Sequence, residues 1–329
     1  MPVMLKMPRA LVLVLLAVVS AMSAVRSADA ADKLTALRLD YAYYSPVSLV
    51  LKKFGWVEED FHADGVEVRW VQSAGSNRAL EYLNGGSVDF ASTAGLAAVL
   101  SRANGSSIKG VYVFSRPEWT ALVVAKNSPI RSLVDLKGKK VAATKGTDPY
   151  LFLLRALRTA GLQKSDIEHV SLQHADGRAA LEQGRVDAWA GLDPHMAASE
   201  LEAGSRLIYR NVSFNTYGFL NTQEQFAKDH PDVVKRVISD YERARKWIIG
   251  HPEESVALIA EETHLPTEVV RLQLKRNDFS HPVPGREQSV ALKAAAPILL
   301  EEELVRKGTD VDRVIDAWLD PEFAQAAAP

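Results

Sequence analysis

The sequence predicts an α/β protein with two lobes, each a mostly parallel sheet flanked by helices. After residue 31, short apolar runs alternate with amphipathic stretches, which is the pattern of strands and helices in a parallel sheet. A strand, loop and helix pattern also recurs about a hundred residues further along the chain. With 329 residues, 47% of them hydrophobic, the chain can bury the cores of two ordinary lobes.

The internal repeat carries most of this prediction. The segment LRLDYAYYSPVSLV of residues 37–50 resembles KVAATKGTDPYLFL of residues 140–153 in its order of strand, loop and helix. Each copy continues through a glycine turn into Val-Asp and a further strand, with Asp89 in the first copy and Asp187 in the second. Loops from two such halves face each other, so a ligand crevice is expected between them.

Residues 1–30 have the composition of a secretory signal peptide. Two basic residues, Lys6 and Arg9, precede an apolar stretch over residues 10–19, and the segment ends on an Ala-x-Ala pattern. The apolar stretch is short for a membrane span, so cleavage before Ala31 is expected. This predicts a periplasmic protein, secreted through a cleaved signal peptide.

Charge and motifs exclude several classes of function. The 39 basic and 41 acidic residues are spread along the chain, which does not predict a nucleic-acid partner. There is no cysteine, and the motifs G-x-S-x-G, H-E-x-x-H, G-x-G-x-x-G and the P-loop are absent. The eight histidines lack metal-ligand spacing and are interpreted as surface or capping residues. Neither catalysis nor a metal or cofactor is expected.

Three predicted loops carry a short polar residue directly before proline, at Ser45-Pro46, Asp148-Pro149 and Asp193-Pro194. This pair of residues is typical of a helix N-cap followed by the first helical residue. A helix start presents free N–H groups and the positive end of the helix dipole. Such loops can therefore bind a sulfonate, phosphate or carboxylate without a lysine.

The loop around Gly146 and Thr147 is the main candidate for anion binding. Gly146 lets an anion approach the backbone closely, and the Thr147 hydroxyl adds a donor. An ordinary capped helix is the alternative. The loop of residues 92–95 opens the next helix of the first lobe, so it is expected to face the crevice from the other side.

Asp148 has two interpretations. A carboxylate beside an anion site repels the ligand unless it points elsewhere, so Asp148 could cap its own helix. In the other interpretation, Asp148 or Asp193 pairs with a cationic amine on a zwitterionic ligand. Aromatic residues in or beside the loops predict flat walls around an organic group. These aromatic residues are Tyr43, Tyr44, Trp119, Tyr150, Trp189 and Tyr217.

The chain resembles the periplasmic aliphatic-sulfonate, taurine and nitrate binding proteins of ABC importers over roughly residues 34–320. The most specific segments are NSPIRSLVDLKGKKVAATKGTDPYLFLLRALRTAGL, residues 127–162, and HADGRAALEQGRVDAWAGLDPH, residues 174–195. Both look closest to the aliphatic-sulfonate branch. Sulfonate binders usually have serines after Lys-Gly, where this chain has Thr147, Asp148 and Pro149.

The resemblance implies a type II periplasmic-binding-protein fold. Its lobes comprise residues 31–118 with 217–329, and residues 119–216, and the helical end of the chain is expected on the first lobe. Residues 116–119 and 215–217 form the implied hinge. The ligand-binding set, from the loops and the resemblance together, is Tyr44, Ser45, Thr93, Ala94, Gly95, Trp119, Gly146, Thr147, Asp148, Trp189, Asp193 and Tyr217.

The implied function is delivery of a small organic anion to an ABC transporter permease by a monomeric protein. An alkane- or arylsulfonate is the first expectation, with taurine as a further candidate. Two alternatives stay open. One is a protein that binds, or a synthase that uses, a pyrimidine or thiamine precursor on the same fold, and the other is a binder of nitrate or another oxyanion.

Overall fold

The structure is a computed structural model and describes residues 34–327. The predicted signal peptide, residues 1–30, lies outside the described residues. The strands are β1 Ala36–Tyr41, β2 Glu67–Gln72, β3 Phe90–Ala94, β4 Ile108–Pro117, β5 Thr120–Val124, β6 Lys140–Ala142, β7 Glu168–Val170, β8 Ala188–Leu192, β9 Arg206–Arg210, β10 Gly218–Gln223 and β11 Asn277–Asp278.

Helices separate most of the strands up to β9, and after β10 they follow one another almost without interruption. They are α1 Pro46–Phe54, α2 Trp56–His62, α3 Ser76–Asn84, α4 Gly95–Ala103, α5 Asp148–Thr159, α6 His174–Glu182, α7 His195–Ala203, α8 Glu224–Asp229, α9 Pro231–Gly250, α10 Pro252–Thr263, α11 Thr267–Lys275, α12 Arg286–Ala295, α13 Pro297–Glu301, α14 Val311–Trp318 and α15 Glu322–Ala327. Within residues 34–327, none of them has the length and apolar character needed to cross a membrane.

The strands form two sheets, which confirms the predicted α/β class. The first sheet has the order β11-β4-β10-β3-β1-β2, and the second has the order β7-β6-β8-β5-β9. Both sheets are mixed rather than mostly parallel. In the first sheet β1 is parallel to β2 and β3, whereas β10 returns between β3 and β4 and runs antiparallel to both. In the second, β5 enters between β8 and β9 and is antiparallel to both.

The chain passes between the sheets twice, once from β4 to β5 and once from β9 to β10. Both passages lie where the resemblance places the hinge. The N–H of Thr120, at the first passage, donates to the side-chain oxygen of Asn215, at the second, over 2.9 Å. This hydrogen bond ties the two passages together. The lobe boundaries and the hinge motion remain predictions.

The repeated Val-Asp pair has the same structural role in both sheets. The N–H of Arg38 donates to the carboxylate of Asp89, and the N–H of Lys140 donates to that of Asp187, each over 2.8 Å. In each half the aspartate thus fixes the strand that follows it to the first strand of that half. The internal similarity in sequence therefore corresponds to a similarity in hydrogen bonding.

The core lies at the central strands. Every residue of β3, β5 and β8 is buried, as expected for strands covered on both faces, whereas the edge strand β2 alternates between partly buried and exposed residues. In the helical end of the chain, α9 packs on α1 and α14 packs on α4, next to the first sheet. The loops after β1, β2, β7 and β8 remain free to form a site.

Candidate functional site

A cleft of about 280 Å³ lies between loops of the two sheets. From the first sheet it is lined by the loops after β1 and β2, and from the second by those after β7 and β8. The lining residues are Tyr43, Tyr44, Gln72, Ser73, Ala74, Gln173, His174, Ala175, Leu192, Asp193, Pro194 and His195. None of these described residues is lysine or arginine. Tyr44 and Asp193 belong to the predicted binding set.

Two helix starts from opposite sheets meet beside this cleft. A Cβ atom on Gly146, before α5, would lie 3.4 Å from the Cβ of Asn77, in the first turn of α3. Gly146 has φ 75°, a left-handed conformation that favours glycine. Among residues 34–327, the N–H groups of Gly75 and Gly146 donate to no other backbone or side-chain group. Both starts therefore keep donors available for an anion.

The predicted loop at Thr93 and Gly95 is organised differently. The N–H of Gly95 donates to the carbonyl oxygens of Thr216 and Tyr217, both over 3.1 Å, and the N–H of Leu96 donates to the Thr216 hydroxyl over 3.0 Å. The Thr93 hydroxyl accepts a hydrogen bond of 2.8 Å from Asn221. The protein's own groups thus occupy the donors at the start of α4. The neighbouring Ala94 donates its N–H to the Ser76 hydroxyl over 3.0 Å.

Asp148 joins α5 to the two passages between the sheets. Its carboxylate accepts hydrogen bonds from the Trp119 indole over 3.0 Å, from the Thr216 N–H over 3.0 Å and from the Thr216 hydroxyl over 2.6 Å. Burial raises the pKa of Asp148, and these hydrogen bonds oppose the rise. The carboxylate therefore bonds Trp119 and Thr216 and does not cap its own helix. Pairing of Asp148 with an amine on a ligand stays a prediction.

Asp193 is also paired within the protein, although it lines the cleft. Its carboxylate lies 3.2 Å from the Arg276 guanidinium and accepts a hydrogen bond of 2.9 Å from the N–H of Ala197. Burial raises the pKa of Asp193 to about 6, against the opposing effect of Arg276. Arg276 follows α11 and also pairs with Glu200 on α7, so this cluster joins the helical end of the chain to the second sheet.

The remaining members of the predicted set lie around the cleft or behind it. Trp119 packs edge-to-face on Tyr44, with ring centroids 5.9 Å apart, so it supports that wall from behind. Ser45 is the N-cap of α1 and is buried. The Thr147 hydroxyl donates to the carbonyl oxygen of Thr144 over 2.6 Å. In this structure its proton is therefore used within the protein, whereas the sequence predicted a donor to the anion.

Trp189 and Tyr217, like Trp119 and Tyr150, are predicted aromatic residues that lie outside the cleft lining. Trp189 is 0% exposed in the core of the second sheet, where a Cβ on Gly177 would lie 2.6 Å from its indole nitrogen. Tyr217 donates its hydroxyl to Glu287 over 2.9 Å, and the Arg116 guanidinium lies 5.4 Å from its ring centroid. Both rings therefore contribute to packing in this structure.

Sequence reasoning missed two parts of the cleft. The first is the loop Ser73-Ala74-Gly75 before α3, which has no proline and so did not meet the criterion of a polar residue before proline. It does follow a strand and precede a helix, and that position was the available signal. The second is His174, at the start of α6. The interpretation of all histidines as surface or capping residues was wrong here, because His174 is 1% exposed and lines the cleft.

No group of three histidine, aspartate or glutamate side chains in the described part of the chain could hold a metal ion. The chemistry available in the cleft is that of hydrogen-bond donors, apolar walls and two neutral imidazoles. Burial, with a smaller contribution from His195, lowers the pKa of His174 to about 3, and burial lowers that of His195 to about 4.

Comparisons with known proteins agree with this geometry. The sequence profile of the family described as NMT1/THI5 like matches residues 55–255. A protein of Escherichia coli K12 named for the binding of aliphatic sulfonates is 34% identical over 279 residues, which are 84% of this chain and 87% of that protein. The chain belongs to the NMT1/THI5-like family, in its aliphatic-sulfonate-binding branch. The resemblance seen in the sequence is thereby confirmed.

Solved structures of this branch share the fold. The alkanesulfonate-binding protein SsuA of Xanthomonas axonopodis pv. citri, solved with MOPS bound, has a TM-score of 0.79 at 27% identity and covers 86% of this chain and 98% of its own. The periplasmic aliphatic sulphonate binding protein SsuA of Escherichia coli has a TM-score of 0.74 at 32% identity, covering 87% and 92%. These matches confirm the predicted periplasmic-binding-protein fold of type II.

Proposed function

We propose that this chain is the solute-binding protein of an ABC importer and captures an aliphatic sulfonate in the cleft between its two sheets. The observation that carries the proposal is the pair of opposed helix starts at Gly75 and Gly146, whose N–H groups have no acceptor among residues 34–327. Membership of the family supports the same conclusion, since relatives of this branch are named for sulfonate binding. No chemistry on the ligand is needed.

The walls of the cleft favour a sulfonate with an apolar tail. Tyr44, Leu192 and Pro194 contribute apolar surface, and the volume of about 280 Å³ lies at the small end of ligand pockets. Asp148 and Asp193, the two acids considered as partners for an amine, are both paired inside the protein. Neither carboxylate is therefore free to pair with an ammonium group on the ligand, so alkanesulfonates should bind better than taurine.

Delivery to a membrane permease and a periplasmic location complete the proposal. Contacts from both sheets to one ligand stabilise the closed arrangement, and a permease can then distinguish the loaded protein from the empty one. The relatives of this branch with solved structures include a protein described as periplasmic. The protein is expected to act as a monomer.

The test is a thermal-shift and calorimetric comparison of 1-butanesulfonate, taurine, pentanoate, nitrate and a thiamine-pathway pyrimidine. Tris chloride is a suitable buffer, because many common buffers are themselves sulfonates and phosphate can occupy a helix start of this kind. A ligand that binds only the folded state stabilises it, by about 2.7 kcal/mol at a hundredfold excess over Kd. The melting temperature rises accordingly. Butanesulfonate should give the largest shift. A shift with nitrate alone or with the pyrimidine alone would overturn the proposal.

A further inference from the structure

His174 has a fixed tautomer in the neutral state. The Thr144 hydroxyl donates its single proton to the carbonyl oxygen of Leu172 over 2.6 Å. The same hydroxyl oxygen lies 3.2 Å from Nδ1 of His174, and it can only accept there because its proton is already used. Nδ1 therefore carries the imidazole proton, and Nε2 carries the free lone pair.

The lone pair on Nε2 lies at the cleft without a partner. Nε2 is buried and has no hydrogen bond to any described residue. It lies against the start of α3, where a Cβ on Gly75 would be 2.9 Å away. A sulfonate bound at this helix start would thus be a direct neighbour of Nε2.

No described lysine or arginine lines the cleft, so no such cation competes there with His174 for the sulfonate. The charged or titratable groups on the elements around His174 are Lys145, Asp176, Arg178, Asp193 and His195. Of these, Arg178 is paired with Glu182 and Glu202, and Asp193 is paired with Arg276. Lys145 is exposed, and Arg78 in the first turn of α3 is exposed and paired with Glu81. His195 is the second histidine of the cleft lining.

We infer that binding of a sulfonate in this cleft takes up one proton onto Nε2 of His174. The inference rests on the proposed function and adds a mechanism of recognition to it. A sulfonate is ionised at all ordinary pH values and has only acceptor oxygens, so it repels a lone pair and cannot bring a proton. The proton comes from solvent or buffer, a new N–H bond forms at Nε2, and that N–H then donates to a sulfonate oxygen.

The sign of the pH dependence follows from the two states. In the empty cleft burial keeps the pKa of His174 low, at about 3, whereas a neighbouring sulfonate raises that pKa in the complex. Between these two values the complex holds one more proton than the empty protein. The affinity for a sulfonate therefore increases as the pH falls through the pKa of the complex, by at most about tenfold per pH unit for one proton.

The test is calorimetry of 1-butanesulfonate binding to the wild-type protein at about pH 6, in bis-Tris and in imidazole buffer, whose heats of ionisation differ. Proton uptake appears as a difference between the heats observed in the two buffers. A clear proton uptake on binding is expected, and it should increase when the measurement is repeated at a somewhat lower pH. Tight binding with equal heats in both buffers would overturn this inference while leaving the proposed function intact. Absence of any sulfonate binding would overturn both.

Two variants locate the proton. His174→Gln retains a polar group without a titratable nitrogen, so it should bind butanesulfonate with no proton uptake and a flat pH profile. His169→Gln is the matched control, since His169 is a partly buried histidine of β7, the strand before His174, and it bonds the Ala143 carbonyl outside the cleft lining. It should keep the wild-type uptake. Loss of uptake in His169→Gln, or its persistence in His174→Gln, would overturn the assignment.

Discussion

The starts of α3 and α4 differ in what surrounds them, although both follow a strand of the first sheet and begin with small residues. At α4 the N–H groups of Gly95 and Leu96 are bonded to Thr216 and Tyr217 from the returning chain. At α3 the N–H of Gly75 has no acceptor among the described residues, and the preceding Ser73 and Ala74 line the cleft. A helix start can therefore bind a ligand only where the fold has not already supplied acceptors.

The availability of N–H groups also distinguishes the parts of the molecule that stabilise the fold from those that can bind a ligand. Thr216 accepts from Leu96 and donates to Asp148, so one hydroxyl links the start of α4 to the start of α5. These contacts hold the two passages between the sheets in place. The start of α3 makes its closest contacts with His174 and Gly146 across the cleft. The contacts at the start of α3 therefore change if the two sheets move apart.

Gly95→Ala should have the largest effect on stability. The new Cβ would lie 2.5 Å from the carbonyl oxygen of Thr216 and 2.9 Å from the Phe219 ring, so backbone must shift. Overpacking of this kind costs about 2–3 kcal/mol. Urea denaturation should show this loss in the free energy of unfolding. A change below about 0.5 kcal/mol would mean that the start of α4 is not fixed as described.

Gly75→Ala should lower affinity with little effect on stability. Gly75 has an extended backbone that any residue can adopt, but its Cβ would lie 2.9 Å from Nε2 of His174 in the opposite wall. The closed arrangement is therefore disfavoured. Calorimetry should show about a tenfold weaker binding of butanesulfonate, equivalent to about 1.4 kcal/mol.

Gly250→Ala is the control for both variants, because it adds a Cβ that meets nothing within 4 Å at the end of α9. It should leave affinity unchanged and should not destabilise the fold, since alanine is favoured over glycine in a helix. The comparison between the two helix starts fails if Gly75→Ala destabilises the fold as much as Gly95→Ala does. It also fails if, at equal folded fraction, Gly95→Ala weakens the binding of butanesulfonate as much as Gly75→Ala does.

The fold and part of the site could be predicted because their signals are local. Strand and helix periodicity, the repeated Asp89 and Asp187, and the polar residue before Pro46 each depend on neighbouring residues. The contacts that the sequence did not indicate involve partners far along the chain. Asp148 is bonded to Thr216, which is 68 residues away, and Asp193 to Arg276, which is 83 residues away. No spacing rule indicates such contacts.

His174 shows the same limit of sequence-based prediction, here for a residue that the sequence did not select. A histidine between Gln173 and Ala175 in a polar stretch is typical of an exposed helix start. The start of α3, which comes from the other sheet, lies against the ring. Sequence reasoning could place the residue at a loop after a strand, but it could not supply the opposite wall.

The most direct test of this account is a crystal structure of the protein with a bromoalkanesulfonate, in which anomalous scattering locates the bromine and the density locates the sulfonate group. The sulfonate oxygens should lie within hydrogen-bond distance of the N–H groups at Gly75 or Gly146, with Nε2 of His174 as a neighbour and the bromine among the apolar walls. A sulfonate bound at the start of α4, or outside the cleft, would contradict the account.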